Sequence, residues 1–446
     1  MTYPLGKITR GRSLGSTVVA FSLELSINGT VRPVGRYVSW SPAPASLRVA
    51  DSDGAVGPFR VTLRNSAAPS GGKLVFRLER KDPPAAELDL ELPDDGTGRE
   101  FFVAGRFGSP STVDGDAPLE VHQQGAGGAL LASIPLMVRI RKDAERLTAA
   151  ERSRFLLALA RLNDQGRGLY QSYRDAHQEI SLDEAHSRDG FWPWHRAYLL
   201  DLERELQVLD PSVALPYWRF DTPAPGLFTA DFLGAPNPAS GVAQFAPSNP
   251  LSLWSVDGLP GIIRTPRFDP VTSPAHNLSG QQVRPDAVTT GFAGTYRQLR
   301  LPFEGNPHGT AHLSFSGPIN VPATAPRDPL FFLLHCNVDR LWATWQWLQQ
   351  RFDSSSSATY GFRGSVGDPG STRIGHNLLD TMWPWNGVTG GPRPPTAPRT
   401  PFPGTLTPAP GNAPTVGSMI DFQGIHDAAS ELGFDYDNVP YQPDAP

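Results

Sequence analysis

Asp328-Pro-Leu-Phe-Phe-Leu-Leu-His-Cys-Asn-Val-Asp-Arg-Leu-Trp342 is the stretch on which the reading of this chain turns. Its apolar residues recur at helical spacing, so a buried helix is expected over 329–352. A single imidazole, His335, interrupts the apolar face one turn before Asp339. A buried histidine must satisfy both ring nitrogens, and a ligand histidine usually gives its second N–H to a carboxylate, carbonyl or water. Asp339 is a candidate for that support. Taken alone, a core histidine bonded to the same aspartate is the simpler account.

Working outward, His308-Gly-Thr-Ala-His312 places two imidazoles four residues apart, on one face of a helix and within reach of one ion. Two surface histidines would give the same spacing, and His335 is what raises the metal reading. A second cluster, His177, His186 and His195, ends inside Phe191-Trp-Pro-Trp-His-Arg-Ala-Tyr-Leu-Leu-Asp-Leu-Glu203. Pro193 suits the first turn of a helix, with His195 at its buried start. These six are drawn from ten histidines, and two triplets on separate helices imply two metal ions.

The single cysteine, Cys336, excludes an intramolecular disulfide and every cysteine-based zinc or iron–sulfur framework. It follows His335 directly, so its side chain points roughly 100° around the helix, and a small buried residue is the expected role. Imidazole suits zinc, copper, iron and nickel. Three-histidine zinc with one open position is the competing reading, but paired sites without carboxylate or thiolate favour copper. Two coppers side by side can hand dioxygen two electrons together and draw them back from a bound substrate.

The chain of 446 residues is long enough for two cores. With 39 basic against 44 acidic residues, a net charge of -5, it carries neither a nucleic-acid footprint nor a polybasic membrane patch, so small-molecule partners are expected. No stretch approaches the ~18 apolar residues of a membrane span, and residues 1–14 lack an apolar signal core. A soluble cytoplasmic chain is the expectation, with export by a helper protein left open.

From Thr17 to Arg139 the runs Thr17-Val-Val-Ala-Phe-Ser-Leu-Glu-Leu25, Phe59-Arg-Val-Thr-Leu-Arg64 and Lys73-Leu-Val-Phe-Arg-Leu78 alternate between turn-forming clusters. Such period-two patterning predicts a β-sandwich-like domain over 1–137, of unknown role. Near Arg139 the pattern becomes helical. Thr148 with Glu151 forms a capping-box signature, and 138–446 is expected to be a mainly α-helical domain with long loops at 221–290 and 385–417. The Pro-, Thr- and Gly-rich segment 390–417 reads as an extended loop.

The motifs around His195, His308, His312 and His335 resemble those of type 3 copper proteins of the tyrosinase and catechol oxidase (polyphenol oxidase) family. The likeness runs from about Arg139 to the end, where Phe434-Asp-Tyr-Asp-Asn-Val-Pro-Tyr441 is similar to a tyrosine motif closing the catalytic core. It implies a four-helix bundle holding two copper ions, one on His177, His186 and His195, the other on His308, His312 and His335. Phenolic substrate and dioxygen would be the reactants. The His177–His186 spacing is short for the family, and Glu184 stands where some members carry a cysteine bridged to the second histidine. Leu334 stands where many relatives have another histidine.

By the same likeness Glu304 matches a glutamate that holds a water near copper and assists phenol deprotonation, although a surface glutamate is an equal account. Gly309 stands where strong monophenol hydroxylases often have Asn. That favours oxidation of ortho-diphenols or ortho-aminophenols to quinones, with weak monophenol hydroxylation. Arg196 and Arg340 read as packing or ion-pair residues. A second class of function, a haemocyanin-like dioxygen-binding protein without turnover, shares the dinuclear site. Against it, Asn320-Val-Pro-Ala-Thr-Ala-Pro-Arg327 offers only small or modest side chains where a bulky one could cover copper.

Overall fold

The computed structural model describes residues 22–441, apart from 53, 55, 67–68, 125–127, 179–181, 362–373, 392 and 405–406. The stretch 1–14 and the part of the first alternating run from 17 to 21 therefore lie outside the described residues. The chain divides into two compact units, residues 1–140 with 433–446, and residues 141–432.

The first unit is built from strands β1 (Ser22–Ile27), β2 (Tyr37–Val38), β3 (Ala43–Asp51), β4 (Phe59–Arg64), β5 (Leu74–Arg77), β6 (Glu87–Leu92), β7 (Arg99–Gly105), β8 (Ala117–Gln123) and β9 (Leu130–Val138). They form two sheets, in the orders β1-β3-β7-β5 and β2-β9-β8-β4-β6, antiparallel except for the β2–β9 pair. Alternation decides which side chains are buried: Leu23, Leu25 and Ile27 from β1, Leu47 and Val49 from β3, and Leu119 and Val121 from β8. Each large aliphatic side chain so buried contributes roughly 1.5–3 kcal/mol. The C-terminal tyrosine-rich stretch belongs to this unit, not to the helical one that the resemblance assigns it to. Trp40 Nε1 donates to the Tyr436 carbonyl at 2.9 Å, Ser41 N–H donates to Asp435 Oδ2 at 2.9 Å, and Arg77 and Arg80 lie over the Tyr441 ring.

The second unit contains α1 (Ala149–Asn163), α2 (Tyr170–Ala176), α3 (Leu182–Ala185), α4 (Phe191–Leu209), α5 (Asp286–Thr290), α6 (Tyr296–Phe303), α7 (Thr310–Leu313) and α8 (Leu330–Leu348). Helix α1 starts on the capping box expected of Thr148 and Glu151, with each backbone N–H bonded to the other's side chain. Helices α4 and α8, of 19 residues each, are joined by the buried Arg196–Asp339 ion pair at 2.6 Å. Arg141 reaches Asp339 at 3.3 Å and Glu203 at 2.7 Å, so one cation spans both helices.

The expected four-helix bundle is corrected by these lengths. Of the helices that carry a histidine of the two triads only α4 and α8 are long; α2 has 7 residues and α7 has 4, and α6, which leads to His308, has 8. Pro302 and Pro307 each lack a backbone N–H, and Asn306 is extended (φ -149°, ψ 118°), so 296–313 breaks into α6, a π-type turn over Glu304–Gly309, and α7. Among the described residues, 210–249 and 349–416 hold no helix or strand beyond isolated bridges. Buried arginines satisfy loop carbonyls instead: Arg204 donates to the Pro403 and Ala409 carbonyls at 2.9 Å each. No described helix is long and apolar enough to cross a membrane.

Short α2 is tied to α4 by polar bonds. Tyr173 Oη donates to Asp201 Oδ1 at 2.6 Å, and Trp385 Nε1 donates to Asp201 Oδ2 at 2.5 Å. Burial raises the Asp201 carboxyl to about 6, although Arg399 opposes the shift. A raised carboxyl binds its proton more tightly in the folded chain, so this group favours folding as pH falls through about 6 toward the unfolded value. Asp201→Asn leaves one donor facing another and is expected to cost about 1–3 kcal/mol in chemical denaturation at pH 8. The gap to wild type should widen between pH 7 and pH 5; a narrowing gap would contradict the assignment.

Candidate metal centre

Each helix end delivers an imidazole for a local reason. Helix α2 stops at His177, whose φ of -115° and ψ of 54° leave the helical region. His186 follows the single turn of α3, its N–H bonded to the Leu182 carbonyl at 2.9 Å. His195 sits in the second turn of α4, where Pro193 occupies the first turn and loses no helical bond. His308 lies in the π-type turn, His312 in α7 and His335 in the second turn of α8.

The structure gathers all six. Within His177, His186 and His195, and again within His308, His312 and His335, one ring nitrogen per residue lies within 4.8 Å of the others. The triads adjoin: His195 stacks on His335 at 4.2 Å between centroids, and His186 faces His308 at 6.0 Å. Phe331 stacks on the other rim of His335, also at 4.2 Å, a contact that the sequence reading missed.

Four rings have a fixed tautomer. The Nδ1 atoms of His177, His195, His308 and His312 face the carbonyls of Pro322 (2.9 Å), Phe191 (2.7 Å), Glu304 (3.2 Å) and Ile319 (2.7 Å). A nitrogen facing a carbonyl must carry the proton, which leaves Nε2 as a lone pair. His177, His195 and His308 Nε2 are buried with no partner, as are His186 and His335 Nδ1. His312 Nε2 lies 3.1 Å from His335 Nε2. The Nε2 lone pairs of His177, His195 and His308 each cost about 1–3 kcal/mol while they lack a partner, and a cation that meets them removes that cost. The residues present therefore fit two metal ions, on an all-imidazole donor set that copper accepts.

Protonation does not compete. Burial is the first cause pushing all six imidazoles down, His186 and His312 to about 4 and the other four well below their usual value. Neighbouring imidazoles push further in the same direction for His186 and the four lowest. Neutral rings are the ligand form.

Asp339 does not support His335. Its Oδ1 accepts from Arg196 and its Oδ2 from Arg141, since those guanidinium groups lie buried beside it and need a counter-charge. The Glu304 carboxylate is equally engaged: Oε1 accepts the Ser187 N–H at 2.6 Å and Oε2 pairs with Arg300. Burial raises this carboxyl as well. Gly309 has a packing reason to be glycine, because a Cβ there would stand 2.9 Å from the Glu304 carbonyl oxygen, the acceptor for His308. Cys336 is buried, with Sγ 3.7 Å from the Leu215 carbonyl.

Residues 167–348 match the model of the common central domain of tyrosinase. Tyrosinase of Streptomyces glaucescens is 30% identical over 269 residues, 55% of this chain and 92% of that protein. Grixazone synthase of Streptomyces griseus subsp. griseus is 30% identical over 265 residues, 47% of this chain and 85% of that protein. A functional unit of octopus hemocyanin overlays with a TM-score of 0.45 at 20% identity, covering 69% of this chain and 70% of that one. With two histidine triads that fit a dinuclear centre, and likeness running through nearly all of a tyrosinase, this chain belongs to the tyrosinase family of type 3 copper proteins and is a copper-dependent polyphenol oxidase.

Proposed function

We propose that His177, His186 and His195 hold one copper and His308, His312 and His335 the other, and that the chain oxidises ortho-diphenols or ortho-aminophenols to quinones, with weak monophenol hydroxylation. The observation that carries the substrate preference is the engagement of Glu304. Hydroxylating a monophenol calls for a base free to take the phenol proton near the metal. Glu304 spends both oxygens on Arg300 and Ser187, and Gly309 has no side chain with which to orient a water. An ortho-diphenol asks less: two electrons and two protons leave it, no oxygen is inserted, and one dioxygen accepts the electrons of two such molecules to give two waters.

Copper, when bound, supplies paired one-electron acceptors and the site where dioxygen is reduced. The protein supplies the rest. Carbonyls of Pro322, Phe191, Glu304 and Ile319 hold four rings in one tautomer and leave their Nε2 lone pairs for the metal. The stack of Phe331, His335 and His195 restrains two rings from opposite triads. His186 and His312, one ring from each triad, are only partly buried, and Val321 between two of the carbonyl acceptors is 50% exposed. That access supports turnover over a carrier role. The family includes chains named for tyrosine and for grixazone, so membership alone leaves the substrate open.

Oxygen uptake with a catechol, an ortho-aminophenol and a monophenol side by side should be rapid for the first two and at least tenfold slower for the third; reversible oxygen binding with no turnover would favour the carrier instead. Copper analysis of His177→Ala and of His335→Ala, each compared with two ions in wild type, should give about one ion per folded chain and no oxygen uptake. Gly309→Ala adds only the methyl that meets the Glu304 carbonyl, and a loss of about 1–3 kcal/mol is expected in thermal or chemical unfolding; unchanged stability would show that the turn yields freely.

A further inference from the structure

Among the six histidines of the two triads, His186 is the one with neither an orienting hydrogen bond on Nδ1 nor a stacked apolar ring. Its ring contacts are His177 and His195 edge-on at 5.0 Å, Phe191 at 5.9 Å and His308 at 6.0 Å. Its place is therefore set by its backbone, and that backbone is the single turn of α3. A four-residue helix has no intrinsic stability in water, because nucleation is not repaid over so few bonds. Something outside it must hold it.

That hold comes from a loop some 190–210 residues further along the chain. Glu184, 5% exposed, accepts from Arg393 Nε at 2.8 Å and Nη2 at 3.0 Å, and from the Trp383 N–H at 2.8 Å. His376, 3% exposed, grips the same turn from beside it: Nε2–H donates to the Asp183 carbonyl at 3.0 Å while Nδ1 accepts the Gly190 N–H at 3.1 Å. Two glycines let the backbones approach this closely. A Cβ on Gly375 would collide with the Glu184 side chain, and one on Gly190 with the Gly375 carbonyl and the His376 ring. A bidentate, nearly dry carboxylate–guanidinium pair is among the most directional contacts available to side chains. Breaking it by removing one partner leaves a buried charge unpaired.

We propose that Glu184, clamped by Arg393, is a positioning residue for His186: it fixes the α3 turn and thereby one ligand of the first copper, and acts on that copper before the other. The proposal rests on the reading of His186 as a ligand. Glu184 and Arg393 bond each other and the Trp383 and Thr381 backbone, whereas the second triad meets this segment one residue beyond His186, where the Ser187 N–H reaches Glu304 Oε1 at 2.6 Å.

The test uses the full-length copper-loaded chain. Copper per folded chain is measured after dialysis against graded weak chelator, together with the electron paramagnetic resonance signal, which a lone Cu(II) gives and a coupled pair does not. Glu184→Ala and Arg393→Lys should each lose one copper at a chelator concentration at least tenfold below that needed for wild type, with a lone-Cu(II) signal growing as it leaves. Glu184→Gln, which keeps the acceptor to Trp383, should fall between. Val388→Ala, at an exposed position of the same loop, should keep both coppers. Retention of two coppers at wild-type chelator resistance in folded Glu184→Ala, or simultaneous loss of both ions, overturns the proposal. Should Glu184→Ala fail to fold, Arg393→Lys decides by the same readout. If wild type itself binds fewer than two coppers, the ligand reading falls first.

Discussion

Three Nε2 lone pairs buried without a hydrogen-bond partner, on His177, His195 and His308, are the constraint around which the second unit is arranged. Lone pairs of this kind are tolerated only if something positive meets them, and protons are discouraged because burial and mutual proximity hold the imidazoles neutral. The centre is thus prepared for a metal and unfavourable without one. Metal binding and the stability of this unit are then linked, with the cost of collecting the rings offset by the ions.

The scaffold divides the task between rigid and dependent parts. Helices α4 and α8 carry His195 and His335 and are fastened by Arg141, Arg196 and Asp339, a buried group of charges that fixes their register. The other four ligands sit on pieces too short to persist by themselves. These pieces borrow order from loops: Tyr173 and Trp385 meet on Asp201, Tyr170 Oη bonds the Pro326 carbonyl at 2.7 Å, and Asn306 bonds Gln282 and Arg284. Long irregular connections are consequently structural members here, and their buried polar groups are paired by arginine and asparagine side chains.

What the sequence disclosed follows from locality. The helix around His335, the capping box at Thr148 and the spacing of the histidines depend on neighbours within one or two turns, and such signals survive in a string of letters. The four-helix bundle failed because Pro302, Asn306 and Pro307 break the segment that carries His308, and a family expectation overrode those breakers. Asp339 was assigned to His335 by its spacing, whereas two arginines from elsewhere compete for it with full charge. In the sequence Glu184 stands out only as the place where some relatives carry a cysteine; its partner Arg393 lies in a Pro-rich stretch with no periodicity, so nothing local links them. The C-terminal stretch was likewise assigned by likeness, and its bonds to Trp40 and Ser41 span the whole chain.

The carbonyls that orient four of the six imidazoles belong to a proline, a phenylalanine, a glutamate and an isoleucine. None of these side chains takes part in the bond. Any residue that keeps the same backbone path presents the same oxygen, so mutation can drift through these positions without touching the tautomer of the rings. The chemistry of the centre is in this respect written as a trajectory of the main chain and not as a set of letters.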